Sequence, residues 1–212
     1  MKSVKYLFTA VAGLALSGCA ITNVNDVNTM RTAVAHGGTP FTQALAGEYR
    51  TQATYEADNE VEWDDAAWFA RKGLRAANGE VVLPANVVAA PAGAWLRHGD
   101  LGPVVQIPAA RMPEVSGAHN RLVAFLDGGG RDRQPVIAAQ AQGLYDCWVE
   151  EEWEKEDDIA CRRDFLTLET QFTVVTNWQP ATAAAPAAKA TPAAGWHPSR
   201  RSRPRWPPRP RR

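Results

Sequence analysis

The sequence predicts a mainly α protein, a small helical domain of about five helices with one proline-rich crossing segment. Two observations support this fold class. Apolar residues recur every three to four positions in five stretches between residues 40 and 168, and helix-starting and helix-ending residues flank several of these stretches. Residues 80–112 differ, because prolines there separate short pairs of valines. The helical domain is expected to span residues 40–178.

The first two helices are predicted to form a hairpin. Thr39-Pro40 reads as an N-cap followed by proline at the first helical position, and one apolar stripe carries the helix from about 40 to 57. Asp64-Asp65 opens a second helix that ends at Asn78-Gly79. The stretch from Trp63 to Gly79 also resembles a tetratricopeptide-repeat helix, but no second copy follows at a period near 34.

The remaining elements follow the crossing segment. Residues 80–112 predict loop, or at most a short strand pair. A third helix is expected at about 113–126, before the stop Gly128-Gly129-Gly130. A fourth is expected from about 134 to 155 and a fifth from about 158 to 168.

The N-terminus has the pattern of an exported protein. Lys2 and Lys5 precede an apolar run from Tyr6 to Leu16, whose eleven residues are too few to span a bilayer. Leu16-Ser17-Gly18-Cys19 then resembles the lipobox of a bacterial lipoprotein signal, where an ordinary secretory signal would end in a small-x-small site. The resemblance implies a signal peptide at 1–18, acylation of Cys19 and a lipidated tether at 19–39. Several acyl chains (such as palmitate) make an effectively permanent anchor.

The resemblance also implies a location. Ala20 follows the cysteine, whereas the inner-membrane retention signal is usually Asp at that place, so an outer-membrane protein facing the periplasm is expected. The charge of the domain is consistent with contact to the membrane through the lipid anchor alone. All 23 acidic residues precede residue 180, against 13 basic residues between the signal and that point. Such an acidic domain argues against nucleic acid and against direct adsorption on anionic lipid.

Three cysteines are present, and Cys19 is assigned to lipid. Cys147 and Cys161 lack the close spacing of zinc ligands or of a redox Cys-x-x-Cys. In an exported chain a disulfide is the favoured interpretation, tying the fourth helix to the fifth and contributing about 3 kcal/mol.

Other candidate sites receive little support. The acidic run Glu150 to Asp158 could bind a cation, but the calcium-loop pattern is absent and a solvated helix end is favoured. The histidines are scattered, no Ser lies in a Gly-x-Ser-x-Gly context, and the triglycine lacks a phosphate-loop setting. The tryptophans could line a glycan groove, although buried packing is the default. No metal or cofactor is expected.

The domain resembles the N-terminal region of envelope lipoproteins of the OmpA family over residues 41–170. The residues that carry the resemblance are Glu62-Trp63-Asp64-Asp65-Ala66, Phe69, Lys72, Ala76 to Gly79, Val82-Leu83-Pro84, Pro135, Ala138 to Gln142, Tyr145-Asp146-Cys147-Trp148, Ile159 to Arg162 and Phe165. In that family such a segment is followed by an OmpA-like domain that holds peptidoglycan through an Asp and an Arg. After Gln179 nothing of that kind follows, so no peptidoglycan-contact residue is assigned.

Residues 179–212 predict a disordered tail, first rich in Ala and Pro and then in Arg and Pro. From Gly195 the composition is that of out-of-frame reading of a G+C-rich gene, and the resemblance places an OmpA-like domain here. A frameshift near codons 190–195 is therefore one hypothesis. A cationic arm that binds anionic lipopolysaccharide or wall polymer is the other.

Two functions remain open. The favoured one is a non-enzymatic envelope lipoprotein, structural or adaptor in role, with an envelope protein or peptidoglycan as a possible partner. The alternative is a cell-wall or glycan-processing enzyme with a carboxylate site in the crossing segment, using Glu80, Asp100 or Glu114 as acid and base.

Overall fold

The computed structural model describes residues 22–91, 102, 104–154 and 160–172, and 73% of these residues are helical. The prediction of a mainly α fold is confirmed. The elements in chain order are α1 (22–32), α2 (Pro40–Tyr55), α3 (Trp63–Ala77), β1 (Asn86–Ala89), β2 (Val104–Ile107), α4 (Met112–Phe125), α5 (Arg131–Arg133), α6 (Pro135–Glu154) and α7 (Ala160–Glu169). A five-residue π-helical turn follows α2 at Glu56–Glu60, and another follows α4 at Leu126–Gly130.

The ends of α2 show why the sequence folds as it does. The Thr39 hydroxyl accepts a hydrogen bond from the Thr42 amide at 3.2 Å, and the Thr42 hydroxyl accepts one from the Thr39 amide at 3.0 Å. This reciprocal cap, with Pro40 at the first helical position, satisfies two backbone donors at the helix start. At the other end the π-helical turn leads to Val61, whose φ of 65° is unusual for a β-branched residue.

Helix α6 lies at the centre of the domain. It packs against α2, α4 and α7, and 14 of its 20 residues are buried. Around it gather the largest buried side chains, among them Trp148, Tyr145 and Phe165, whose rings pack edge-on or tilted. A helix buried on nearly all sides forms the core of a small domain rather than one of its faces.

The crossing segment contains the strand pair that the sequence allowed. Strands β1 and β2 are parallel, with Asn86 opposite Val104 and Ala89 opposite Ile107. Val87, Val105 and Ile107 point into the core and are buried. A parallel pair needs a long connection, and here it runs through residues 90–103, most of which lie outside the described residues.

The tether predicted at 19–39 differs from the structure over its described part. Residues 22–32 form α1, in which Val27 and Met30 are completely buried. Arg50 of α2 donates to the carbonyl of Met30 at 2.9 Å and to that of Ala33, which satisfies the C-terminal end of α1. Only two side chains of α1 enter the core, so its apolar pattern is too sparse to predict a helix.

The prediction of a solvated helix end is wrong for Glu150 to Glu152, while residues 155–158 of the acidic run lie outside the described residues. Glu150, Glu151 and Glu152 are 1%, 4% and 2% exposed, because α6 continues through them inside the core. Trp68, Trp148 and Trp153 are buried, as the packing prediction requires, and Trp63 is half-buried against the core. Trp95 lies outside the described residues.

Within the described part of the chain, no helix combines the length and the apolar character that a bilayer crossing requires. The chain divides into two units, residues 1–179 and 180–212. The second unit begins one residue after the start of the predicted tail. The tail, the predicted signal peptide and Cys19 all lie outside the described residues.

Candidate functional site

A row of polar side chains runs along one face of the buried helix α6. Gln142, Asp146, Glu150 and Glu154 recur every four residues, so they lie one above another on the same face. We call this row the polar stripe. It faces side chains of α2 and α3, and its two halves differ in how their charges are balanced.

The N-terminal half of the stripe is a closed hydrogen-bond network around Asp146. The carboxylate of Asp146 is fully buried and accepts from the Tyr49 hydroxyl at 2.5 Å, from Lys72 Nζ at 2.5 Å and from the Ala85 amide at 2.7 Å. Gln142 Nε2 donates to the Tyr49 hydroxyl and to the Val82 carbonyl, each at 2.9 Å. The network therefore joins α2, α3 and the start of the crossing segment to α6.

Lys72 is the cation that bonds directly to Asp146 in this network. Its Nζ lies 4.6 Å from the ring centroid of Trp68 and 5.2 Å from that of Tyr49, so two aromatic faces add to the attraction of Asp146. Burial lowers the pKa of Lys72 while the Asp146 charge opposes that shift. Burial, the same charge and the hydrogen bond raise the pKa of Tyr49, which keeps its hydroxyl protonated as a donor.

The C-terminal half of the stripe meets other carboxylates. Glu62, Asp65, Glu150 and Glu154 each present an oxygen, and these oxygens all lie within 4.8 Å of one another. Asp65 and Glu150 are completely or almost completely buried, and Glu62 and Glu154 are half-buried. We call these four residues the carboxylate cluster.

Local geometry explains how the cluster forms. Glu62 and Asp65 stand three residues apart at the start of α3, and Glu150 and Glu154 stand four apart on α6. Both spacings place side chains on one face of a helix. The strained Val61 and the π-helical turn set the direction in which the chain enters α3 directly before Glu62.

The cluster raises the pKa of its members on α6. Burial, and then the charges of Glu56, Glu154, Asp65 and Glu151, raise the pKa of Glu150 well above its ordinary value. Burial, a hydrogen bond with Glu62 and the neighbouring charges raise the pKa of Glu154 to about 10. Like charges cannot all ionise at such short range, so the cluster must hold protons or a cation. Its oxygen donors suit a hard cation.

A groove of about 750 Å³ lies beside the network, between α3 and the start of the crossing segment. Trp68, Arg71, Arg75, Glu80 and Leu83 are among its lining residues. The two arginines of the groove are already paired with carboxylates of the same chain, Arg75 with Glu80 and Arg71 with Asp26.

The two described acids of the proposed enzymatic site, Glu80 and Glu114, are each engaged elsewhere in the structure. Glu80 is paired with Arg75 in the groove, and that pairing lowers its pKa. Glu114 lies on α4, where its carboxylate accepts from Arg162 of α7 at 2.5 Å. Asp100 lies outside the described residues.

The two predicted disulfide cysteines are joined. Cys147 and Cys161 form a bridge with their Cα atoms 5.8 Å apart, and both are buried where α6 meets α7. Their separation is ordinary for a disulfide. The remaining predicted site residue, Cys19, lies outside the described residues.

Glu62, Asp65, Lys72, Gln142 and Asp146 are among the residues that carry the family resemblance, but the sequence assigns a function to none of them. The available signal was the four-residue recurrence of polar side chains inside an otherwise apolar helix. That signal shows a buried polar face, but it does not show which distant residues meet it.

The fold and site together define a small disulfide-bridged helical domain built around a polar stripe. No protein-family model, curated protein or solved structure matches the chain.

Proposed function

We propose that this protein is a lipid-anchored bacterial envelope lipoprotein with a non-enzymatic, structural or adaptor role. The single observation that carries the proposal is Leu16-Ser17-Gly18-Cys19 behind a short basic and apolar leader. Acylated Cys19 holds the chain at the outer membrane, and the helical domain faces the periplasm. The resemblance to the N-terminal region of OmpA-family lipoproteins supports the same role.

The bridge between Cys147 and Cys161 fits such a location. Disulfides persist in oxidising compartments, of which the periplasm is one, and they are rare in the bacterial cytosol. The closed core supports the adaptor role, because the large described side chains pack on one another and the candidate acids Glu80 and Glu114 are each engaged by an arginine.

Metabolic labelling with a palmitate analogue tests the anchor. The wild-type chain should carry label and sediment with outer-membrane vesicles, whereas Cys19→Ala should lose the label. Ser17→Ala is the matched control, because it keeps a small residue before the cysteine and should label normally. Label retained by Cys19→Ala would disprove acylation at this residue.

Incubation with isolated peptidoglycan sacculi tests the non-enzymatic role. The full-length protein, purified in detergent, should release no soluble glycan or peptide fragments, whether or not it sediments with the sacculi. Release that depends on the protein and disappears in a Glu80→Gln or Glu114→Gln variant would favour the glycan-processing alternative.

A further inference from the structure

We infer that the carboxylate cluster of Glu62, Asp65, Glu150 and Glu154 is a binding site for one Ca²⁺ ion, which joins the start of α3 to the end of α6. The site lies in the interior of the helical domain. Metal sites of helical bundles are commonly built in this way, from side chains on facing helices.

The first argument comes from the three consecutive glutamates of α6. Glu151 accepts a hydrogen bond from the Cys161 amide at 3.3 Å, and Glu152 accepts one from Trp148 Nε1 at 3.0 Å and pairs with Arg111 at 3.3 Å. The burial of these two carboxylates is thereby compensated. Glu150 is as deeply buried, yet its Oε1 has no hydrogen-bond partner among the described residues. It faces Asp65 and Glu154 instead.

Burial without a partner is expensive for a carboxylate. A buried charge without a counterion is strongly unfavourable, and native proteins pair such groups or use them to coordinate metals. One oxygen of Glu62 and one of Glu154 are likewise buried without a hydrogen bond in the described part of the chain. Glu56 adds a fifth negative group near enough to raise the pKa of both α6 members. A divalent cation would neutralise two of these charges and satisfy the unpaired oxygens together.

The donor set selects the class of cation. All four ligands are carboxylates, which suit hard cations and not the metals that prefer sulfur or imidazole. The oxygens lie within 4.8 Å of one another, close enough for all four to contact one cation. Mg²⁺ retains several waters and does not usually enter cages made only of protein ligands, whereas Ca²⁺ accepts many carboxylate oxygens. The number of protein carboxylates therefore favours Ca²⁺.

This arrangement also explains why the calcium-loop pattern is absent. In that pattern one short loop supplies every ligand in sequence. Here two ligands come from α3 and two from α6, more than eighty residues later, so the site exists only in the folded chain. Ca²⁺ would consequently bind the folded state alone and stabilise it.

Full-length protein in detergent, stripped with a chelator, is titrated with Tb³⁺ as a luminescent substitute for Ca²⁺. Trp63 and Trp153 adjoin cluster residues in sequence and can sensitise the ion. We expect one saturable site, with Ca²⁺ displacing Tb³⁺ at least tenfold more effectively than Mg²⁺. Ca²⁺ at a hundredfold excess over its Kd should raise Tm by about 5 to 10 °C.

Glu150→Gln and Asp65→Asn each test the assignment, and Asp64→Asn is the matched control because its exposed carboxylate lies outside the cluster. Glu150→Gln should weaken binding at least tenfold and abolish the Tm shift. Without Ca²⁺, the Glu150→Gln variant should have a higher Tm than the chelator-treated wild type, because the substitution removes a buried charge from the cluster. A higher Tm also shows that the variant is folded. Asp64→Asn should bind as the wild type does.

Three results would overturn the assignment. The first is the lack of saturable binding to the wild type. The second is equal binding by Glu150→Gln, which would place the ion on the acidic surface. The third is stronger competition by Mg²⁺ than by Ca²⁺, which would exclude a calcium site.

Discussion

Asp146→Asn should be among the most destabilising conservative substitutions in this domain. The change keeps the side-chain shape but replaces one oxygen of a fully buried carboxylate by an amide NH₂. Three donors point at this carboxylate, from Tyr49, Lys72 and Ala85. At least one of them would then face another donor, and Lys72, whose side chain is 11% exposed, would lose its counterion.

The size of the loss in the free energy of unfolding follows from Lys72, which the substitution leaves buried without a counterion. Removing one partner of a buried ion pair costs about 3 to 5 kcal/mol. The lysine can escape this penalty by releasing its proton, which from an ordinary pKa of about 10.4 costs about 4.5 kcal/mol at pH 7 and about 2 kcal/mol at pH 9. We therefore expect a loss of about 3 to 4.5 kcal/mol at pH 7 that shrinks as the pH rises. The sign follows because the folded variant would bind fewer protons than its unfolded chain.

Urea unfolding followed by tryptophan fluorescence measures this difference at pH 7 and pH 9. Asp127→Asn is the control, since Asp127 likewise pairs with a cation, Arg131, but is 63% exposed, and it should cost at most about 1 kcal/mol. In a Lys72→Met background the Asp146→Asn substitution should cost at least 1 kcal/mol less. A loss below 1 kcal/mol at pH 7, or a loss that changes neither with pH nor with Lys72→Met, would refute the reasoning.

Three further substitutions test other parts of the structure. Burial raises the pKa of Glu48 to about 7, so the free energy of unfolding should fall as the pH rises from about 4.5 to 7. Glu48→Gln should therefore add about 2 to 3 kcal/mol to the free energy of unfolding at pH 8 but little at pH 4.5. Gly38→Ala should lower the free energy of unfolding in urea by about 2 to 4 kcal/mol, because Gly38 has a φ of +77° and a Cβ there would lie 2.6 Å from the backbone of the turn after α3. At Gly47 a Cβ would meet nothing within 4 Å, so the control Gly47→Ala should be neutral or stabilising. Replacing Cys147 and Cys161 together by Ser should cost about 3 kcal/mol, as should reduction of the wild type, and unchanged melting in both cases would show that the bridge contributes nothing.

Five helices of the domain could be predicted from sequence because each has an apolar stripe, and three of them also have a boundary signal. Thr39-Pro40 marks the start of α2, Asn78-Gly79 the end of α3, and the glycines from Gly128 the end of α4, and the observed bounds agree to within about three residues. In helix α1 both the apolar stripe and the boundary signals are weak. Its stability comes from Arg50 and from two buried side chains, and these contacts are tertiary.

The candidate site was less predictable for a different reason. A run of glutamates normally signals a solvated face, and nothing local distinguishes Glu150 from Glu152. What distinguishes them is the neighbour that each one meets after folding. Asp65 is separated from Glu150 by more than eighty residues, and a pattern of short spacing does not reveal that pair.

Helical geometry turns this run of like charge into three different contacts. Successive residues of an α-helix point about 100° apart, so Glu150, Glu151 and Glu152 leave α6 in three directions. Glu151 meets the amide of Cys161 near the start of α7, where the helix dipole favours a negative charge. Glu152 meets Arg111 at the start of α4, and Glu150 meets the first turn of α3. The end of α6 thus fixes the starts of three helices, and only at α3 is the contact one of carboxylate with carboxylate. That contact is attractive only when protons or a cation lie between the carboxylates, so the effect of Ca²⁺ on melting should come from this one interface.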